Sequence, residues 1–361
     1  MSLEVIYVVR HGFRSSWSVD HITGTYTSYL RSPTGLPTDP ALTSHGVEQA
    51  DELAAHLVDL DPPIDQVYSS PYYRCLQTIS PFTLLHNAEH SESSPSNSVP
   101  CSPLGIRVEL GLSEWYGQAH FEHPTSASLD KLNTLFANLD MNYDSSPGPR
   151  RRGESIPQLY QRVASCMQAI VAQCDKEGKK AVLISTHAAV VIVLGRVLTA
   201  NIPEDVSVED FRAFTCGLCT YRRQGGGQDC SIPTVTDISR DRARKYKDVQ
   251  GAVPSAGTHL ISRPLSLGRL AVDPWGPGES KVQGLSQKHS IGLSSHWTCE
   301  ANSDCSFLRG GEERGWKFSG DESFVEVGRE GLPLSTLESD PNSAVEKDGD
   351  GFSSKTNISK L

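Results

Sequence analysis

Val5-Ile6-Tyr7-Val8-Val9 is an unbroken run of apolar β-formers that stops abruptly at Arg10-His11-Gly12. A strand with no polar face is buried on both sides, and such strands belong to parallel sheets covered by helices above and below. Residues 66–69, 107–110 and 180–185 read as further strands, with 46–60, 72–85, 156–174 and 188–198 as helices between them. In 46–60 the apolar positions Leu53, Ala54 and Leu57 fall on one helical face. Pro157 stands in the first turn of 156–174, where a missing N–H does no harm. Strands alternating with helices predict an α/β fold, a three-layer α/β/α sandwich with a mostly parallel central sheet. Residues 214–222 supply one further strand, so residues 1–223 are expected to form one domain.

The rest of the chain has a different texture. Segments 23–38 and 89–102, rich in Ser, Thr and Pro, read as surface loops. Residues 224–295 carry Gly, Ser and Pro with little apolar patterning and read as a largely disordered linker. Residues 296–326, with Phe307, Trp316, Phe318 and Phe324, read as a short segment that docks, and 327–361 as a disordered tail. A net charge of -10 argues against a protein that grips nucleic acid over its whole surface. The longest apolar run, 188–198, contains Arg196 and is too short to span a bilayer, so no membrane contact is expected. Nine cysteines without disulfide-like spacing, and a start without a signal-peptide pattern, lead to an expectation of free thiols in the cytoplasm or nucleus.

In such sheets ligands sit beyond the carboxyl ends of the strands. The first strand ends in Arg10-His11-Gly12, with Arg14 close behind; the second runs through Ser69-Ser70-Pro71 to Arg74. The third leads to Glu114 and the fourth to His187. Two histidines, three arginines and a carboxylate therefore converge on one rim. Guanidinium forks neutralise phosphate oxygens bidentately. A neutral imidazole can attack phosphorus, and clustered arginines keep it unprotonated. A protonated carboxyl can supply the proton that the leaving alkoxide needs. With so much fixed positive charge, no metal is required. Cys216 and Cys219 have the spacing of half a zinc site, but no second pair follows, and on a strand their thiols point to opposite faces. No Gly-rich nucleotide loop is present, so no cofactor is expected.

Arg10-His11-Gly12 after a buried N-terminal strand resembles the signature of the histidine phosphatase superfamily, which includes the cofactor-dependent phosphoglycerate mutases. The resemblance continues through 42–50, Ser69-Ser70-Pro71-Tyr72-Tyr73-Arg74, Leu112-Ser113-Glu114-Trp115, Gly153-Glu154-Ser155 and Ser185-Thr186-His187-Ala188, and it covers roughly the first 220 residues. It implies His11 as the phosphorylated nucleophile, Arg10, Arg14, Arg74 and His187 as the phosphate clamp, and Glu114 as general acid. Catalysis would thus rest on His11, Glu114 and His187. Arg14 stands where mutases carry Ser, which favours hydrolysis over mutase chemistry. Arg10 to Trp17, Glu114-Trp115-Tyr116 and 310–316 are similar to a fungal group that contains the small tau subunit of the RNA polymerase III general transcription factor. That similarity implies a second expectation: an interaction subunit with protein partners in a transcription complex, reached through the C-terminal region.

Each role has a plainer competitor. His11 and His187 could be buried structural histidines, which would leave the flanking arginines unexplained. Arg74 lies in a helix first turn, where the macrodipole disfavours a cation unless an anion partners it. Glu109, Glu122 and Glu154 compete with Glu114, Glu154 being better read as a first-turn carboxylate. Arg150-Arg151-Arg152 and the basic stretch 240–247 read as solvated surface rather than binding sites.

Overall fold

The computed structural model describes residues 2–92, 103–224 and 297–319. The linker 224–295 from residue 225 on, the tail 327–361 and the basic stretch 240–247 lie outside the described residues.

Strands β1 (Val5–Arg10), β4 (Gln66–Ser69), β5 (Ile106–Val108) and β6 (Ala181–Thr186) pair in parallel, in the order β5-β4-β6-β1. Two antiparallel strands extend the sheet beyond β1: β7 (Leu218–Arg223), then β8 (Trp297–Asp304). Side-chain alternation divides β1 between two cores. Ile6 and Val8 pack with α4 (Ile156–Glu177) and α5 (Ala188–Leu198) on one face. Val5, Tyr7 and Val9 pack on the other, with α1 (Ser44–Leu57) and α2 (Tyr73–Glu92). The three-layer α/β sandwich with a mostly parallel sheet is as the sequence implies. Cys219 joins the first core and Cys216 the second, so the two thiols do face apart.

The helices obey local chemistry. Thr43 caps α1 by accepting from Gly46 N. Ser155 and Gln158 form a capping box at α4, and Gly178 ends that helix in the left-handed conformation. Every residue of α5 is buried, Arg196 included. Its guanidinium is held bidentately by Asp210 (2.9 and 3.0 Å) and by Tyr160 Oη and two backbone carbonyls. A buried cation survives there because nearly every donor has a partner.

Several boundaries differ from expectation. The expected strand 107–110 is β5, which ends at Val108 before a 3-10 turn, Leu110–Leu112. Helix α2 runs through Pro81 to Glu92 rather than ending at 85. The strand expected over 214–222 begins only at Leu218, because Cys216 adopts a positive φ of 54° that breaks extension. Insert 23–38 is not wholly loop: β2 (Trp17–Val19) and β3 (Tyr26–Ser28) form a two-stranded ribbon there. In the segment 296–326, residues 297–319 dock on this chain's own sheet. β8 pairs with β7, Trp297 and Phe318 enter the first core, and Cys305 and Leu308 the second.

Candidate active site

Because β1, β4, β5 and β6 are parallel, their carboxyl ends share one edge. The register sets Arg10 beside Thr186 and Ser69 beside Ser185, so the residues just beyond them become neighbours. The His11 N–H donates to Thr186 O (3.0 Å), carrying the pairing one residue past the strand. The Gly12 N–H donates to Thr78 Oγ1 (3.0 Å), and that hydroxyl donates to Arg74 O (2.7 Å), tying the loop to the first turns of α2. The loop is pressed onto α1. A Cβ on Gly12 would lie 2.9 Å from Gly46 O, and one on Gly46 would lie 2.0 Å from Phe13 O. Both positions must stay glycine for the loop to sit this close.

His11 is buried, with Nδ1 2.9 Å from its neighbour's carbonyl, Gly12 O. A carbonyl can only accept, so the neutral ring carries its proton on Nδ1 and leaves the Nε2 lone pair free. Burial, then the charges of Arg74, Arg10, His187 and Arg14, push the ring's pKa well below its usual 6.5. His11 is thus unprotonated at neutral pH.

His187, Glu114 and Arg74 form a compact triad. Glu114 Oε2 lies 3.1 Å from His187 Nδ1 and 3.0 Å from Arg74 Nη2. Ser70 Oγ lies 2.7 Å from His187 Nε2. Burial lowers the His187 pKa to about 4, although Glu114 pulls the other way. The neutral ring then donates from Nδ1 to Glu114 and accepts at Nε2 from Ser70. On that tautomer the 3.1 Å approach of Arg74 Nη2 to His187 Nδ1 is two donors sharing one carboxylate oxygen. Burial acts to raise the Glu114 carboxyl, but His187, Arg74 and Arg14 outweigh it and hold the carboxyl well below the usual range. Arg74 also donates to Thr38 O (3.0 Å), pairs with Asp39 (3.6 Å) and lies over the Tyr72 ring.

Arg10 donates through Nη1 to Ala213 O (2.7 Å) and Arg314 O, and Arg14 donates to Ser15 O (3.0 Å). Burial and neighbouring guanidiniums press Arg10 down to about 10 and Arg14 to about 9, leaving both charged at neutral pH. The Nε of Arg10, of Arg14 and of Arg74 is buried with no hydrogen-bond partner. Three buried donors on three cations, with two carboxylates, Glu114 and Asp39, beside them, leave a site short of negative charge. His11, Glu114 and His187 offer ligand atoms within 4.8 Å of one another, close enough for a metal ion. The three guanidiniums and the commitment of His11 Nδ1 to Gly12 suit an anion better than a cation there.

The structure therefore brings Arg10, His11, Arg14, Arg74, Glu114 and His187 to one pocket. The competing acids lie elsewhere. Glu109 is occupied by Gly111 N, Tyr143 Oη and Ser145 Oγ, and Glu122 pairs with Arg151 at the surface. The expectation for Glu154 as a first-turn carboxylate is corrected: it precedes the Ser155 cap and is buried against Arg162 (2.8 Å). Arg162 in turn donates to Gly111 O and Ser113 O (2.8 and 3.0 Å), fastening the turn that carries Glu114. The sequence reading also missed Ser70, although it sits at a strand end already marked. Of the arginine run, Arg150 and Arg151 line a cavity of about 480 Å³ that shares Tyr72 and Tyr116 with the site's wall.

Residues 6–233 match the model of the histidine phosphatase superfamily (branch 1), and the chain belongs to that superfamily. The Transcription factor tau 55 kDa subunit of Saccharomyces cerevisiae is 30% identical over 229 residues, covering 61% of this chain and 48% of that protein. The Ecdysteroid-phosphate phosphatase of Drosophila melanogaster is 25% identical over 269 residues, covering 67% of this chain and 33% of that protein. Among solved structures, the ecdysone phosphate phosphatase from Bombix mori in complex with tungstate matches with a TM-score of 0.45 and 19% identity, over 72% of this chain and 98% of that one. The chain thus spans about half or less of the length of these curated relatives. No helix among the described residues is long and apolar enough to cross a membrane.

Proposed function

We propose that the protein is a phosphomonoesterase that works through a phosphohistidine and needs no metal. The observation that carries this reading is a neutral His11 within reach of three arginine charges, each arginine with a buried Nε that lacks a hydrogen-bond partner. A phosphoryl group set among Arg10, Arg14 and Arg74 supplies the acceptors these donors lack. His11 Nε2 attacks phosphorus, the P–O ester bond breaks, and the leaving oxygen takes a proton from Glu114. Water then attacks the phosphohistidine, with Glu114 accepting its proton, and phosphate departs. The low carboxyl pKa fits this cycle once substrate charge is counted. A phosphate dianion offsets the guanidiniums that hold Glu114 ionised, so the carboxyl gains its proton as substrate binds. His187 and Ser70 orient that carboxyl and line the phosphoryl pocket.

The test is hydrolysis of an aryl phosphate by the full chain in chelator, beside His11→Ala. Activity that disappears in the variant supports the reading; equal activity in both overturns it.

A second reading rests on the tau subunit relative: a subunit of an RNA polymerase III transcription factor complex, working in the nucleus. The aromatic residues that suggested a partner-docking tail do not support it directly, since Phe318 is buried in this chain's own core and Phe324 lies outside the described residues. Co-purification of transcription-complex subunits with the tagged chain tests it, and their absence from nuclear extracts of the protein's own source counts against it.

A further inference from the structure

We infer that Glu313, together with Gln49, is a positioning residue that fixes the His11–Arg14 loop from a distant part of the chain; the inference rests on the phosphatase reading above. Gln49 is buried in α1, and its amide is fully spoken for. Its Oε1 accepts from Phe13 N (2.9 Å), while its Nε2 donates to Glu313 Oε2 (2.8 Å) and Thr215 Oγ1 (3.2 Å). Glu313 Oε2 also takes His45 Nε2 (2.6 Å). A backbone N–H can only donate and a carboxylate can only accept. The Glu313 carboxylate therefore dictates which way the Gln49 amide faces, and that orientation holds the N–H of Phe13, the residue immediately before Arg14.

The same strap touches the loop in two more places. Arg10 donates through Nη1 to Arg314 O as well as to Ala213 O, which fixes one end of the guanidinium. The Arg314 guanidinium lies 4.0 Å over the Phe13 ring. Glu313 O accepts from Thr215 N (3.1 Å), so strap and loop are joined through residues that flank β7 as well. Arg314 adopts a φ of 47°, a conformation L residues seldom take, at the point where its carbonyl meets Arg10. The match to the superfamily covers 6–233 and does not reach this strap.

Glu313 does not touch the phosphoryl site, so its effect passes through Arg14 and Arg10 and falls on phosphate affinity. The experiment compares full-length wild type, Glu313→Ala, Glu313→Gln, Gln49→Ala and the Glu313→Ala/Gln49→Ala double variant. Inorganic phosphate binding by calorimetry and aryl phosphate kinetics are measured together. In Glu313→Ala, phosphate affinity should weaken by about fivefold to tenfold, the scale of one oriented hydrogen bond. KM should rise by the same factor while kcat changes less than twofold. Glu313→Gln keeps an acceptor facing Gln49 and should recover most of the loss. The double variant should be no worse than Gln49→Ala alone, because both act through one path.

Unchanged phosphate affinity in Glu313→Ala overturns the inference, as does a loss that Glu313→Gln fails to recover and Gln49→Ala adds to in full. If Glu313→Ala does not fold, Glu313→Gln and Gln49→Ala carry the comparison, and a Gln49→Ala with wild-type affinity is equally decisive. A wild type that neither binds phosphate nor hydrolyses the ester defeats the phosphatase reading itself, an outcome separate from both.

Discussion

Arg74 Nη2 and Glu114 Oε2 stand 3.0 Å apart, the guanidinium fully buried and the carboxylate side chain 17% exposed. In the proposed phosphatase the pair would link the phosphate clamp to the proton-trading carboxyl, and the charge of Arg74 is among those that hold Glu114 ionised. On the proposed mechanism, substrate loosens that bond, because an anion satisfies Arg74 and frees Glu114 to take a proton.

Glu114→Gln keeps the hydrogen-bonding shape of the carboxyl but cannot give up a proton. Its kcat should fall by about 10²- to 10⁴-fold on alkyl phosphates. The fall should be far smaller on an ester with an acidic leaving group such as nitrophenol, which departs without help. Equal losses on both substrates would show that Glu114 does not act as the acid.

Arg14→Met should separate stability from binding. Arg14 is pressed down by burial, then by Arg74 and Arg10, so its charge is a burden on the ligand-free fold. Removing it should stabilise the ligand-free protein by about 1 kcal/mol. The same change should abolish the rise in Tm that phosphate gives wild type. Thermal melts with and without phosphate read both effects, and a destabilised variant that still responds to phosphate would contradict the assignment.

Acid should weaken the fold before it stops the chemistry. His11 and His187 both have folded pKa values depressed from 6.5, His187 to about 4. As pH falls below 6.5 the unfolded chain binds protons that the folded chain refuses. Their stabilising contribution is whole above that pH and is lost as pH drops toward the folded values, at about 1.4 kcal/mol per pH unit and group. Urea midpoints at pH 7.5 and 5.5 should show the decline, and it should be shallower in His187→Gln. Because His11 is already neutral, kcat/KM should show no loss assignable to its protonation at pH 6.

Glu154→Ala strands the Arg162 guanidinium in the interior. Removing one partner of a buried pair costs about 3–5 kcal/mol. Arg162 also holds the Gly111 and Ser113 carbonyls, so the surviving folded fraction should show a lower kcat as well as a lower urea midpoint. A variant of wild-type stability would mean that Arg162 finds another acceptor.

The parts of the fold that were legible are those where burial is symmetrical. β1, β6 and α5 are mostly apolar and buried almost throughout, and their ends carry Arg10, His11 and His187, so position and chemistry could be read together. β8 escaped notice because Trp-Thr-Cys-Glu-Ala-Asn-Ser-Asp, from Trp297 to Asp304, is mostly polar. An edge strand needs few buried side chains, and only Trp297 and Ser303 are buried in it. Its partner β7 is remote in sequence, and pairing at that distance leaves no local pattern. Ser70 and Gln49 escaped for a related reason, since their importance lies in which atom faces which neighbour. Glu154 misled because the cap of α4 is the next residue, and burial against Arg162 is a property of the tertiary structure alone.

Arg223 and Trp297 are opposite one another across the β7–β8 ladder, so the chain leaves the sheet and re-enters it at almost the same point. Lengthening a connection whose ends are already together costs little, about 0.6 kcal/mol for each doubling. A change in the length of sequence between them therefore costs the β7–β8 pairing little. At the other end of the ladder, the carbonyls of Ala213, about five residues ahead of β7, and Arg314, about ten residues after β8, both accept from Arg10. The β7–β8 pair thus keeps the open connection at one end and the contacts to Arg10 at the other, so the length of the connection and the placement of that guanidinium are set at opposite ends of the same two strands.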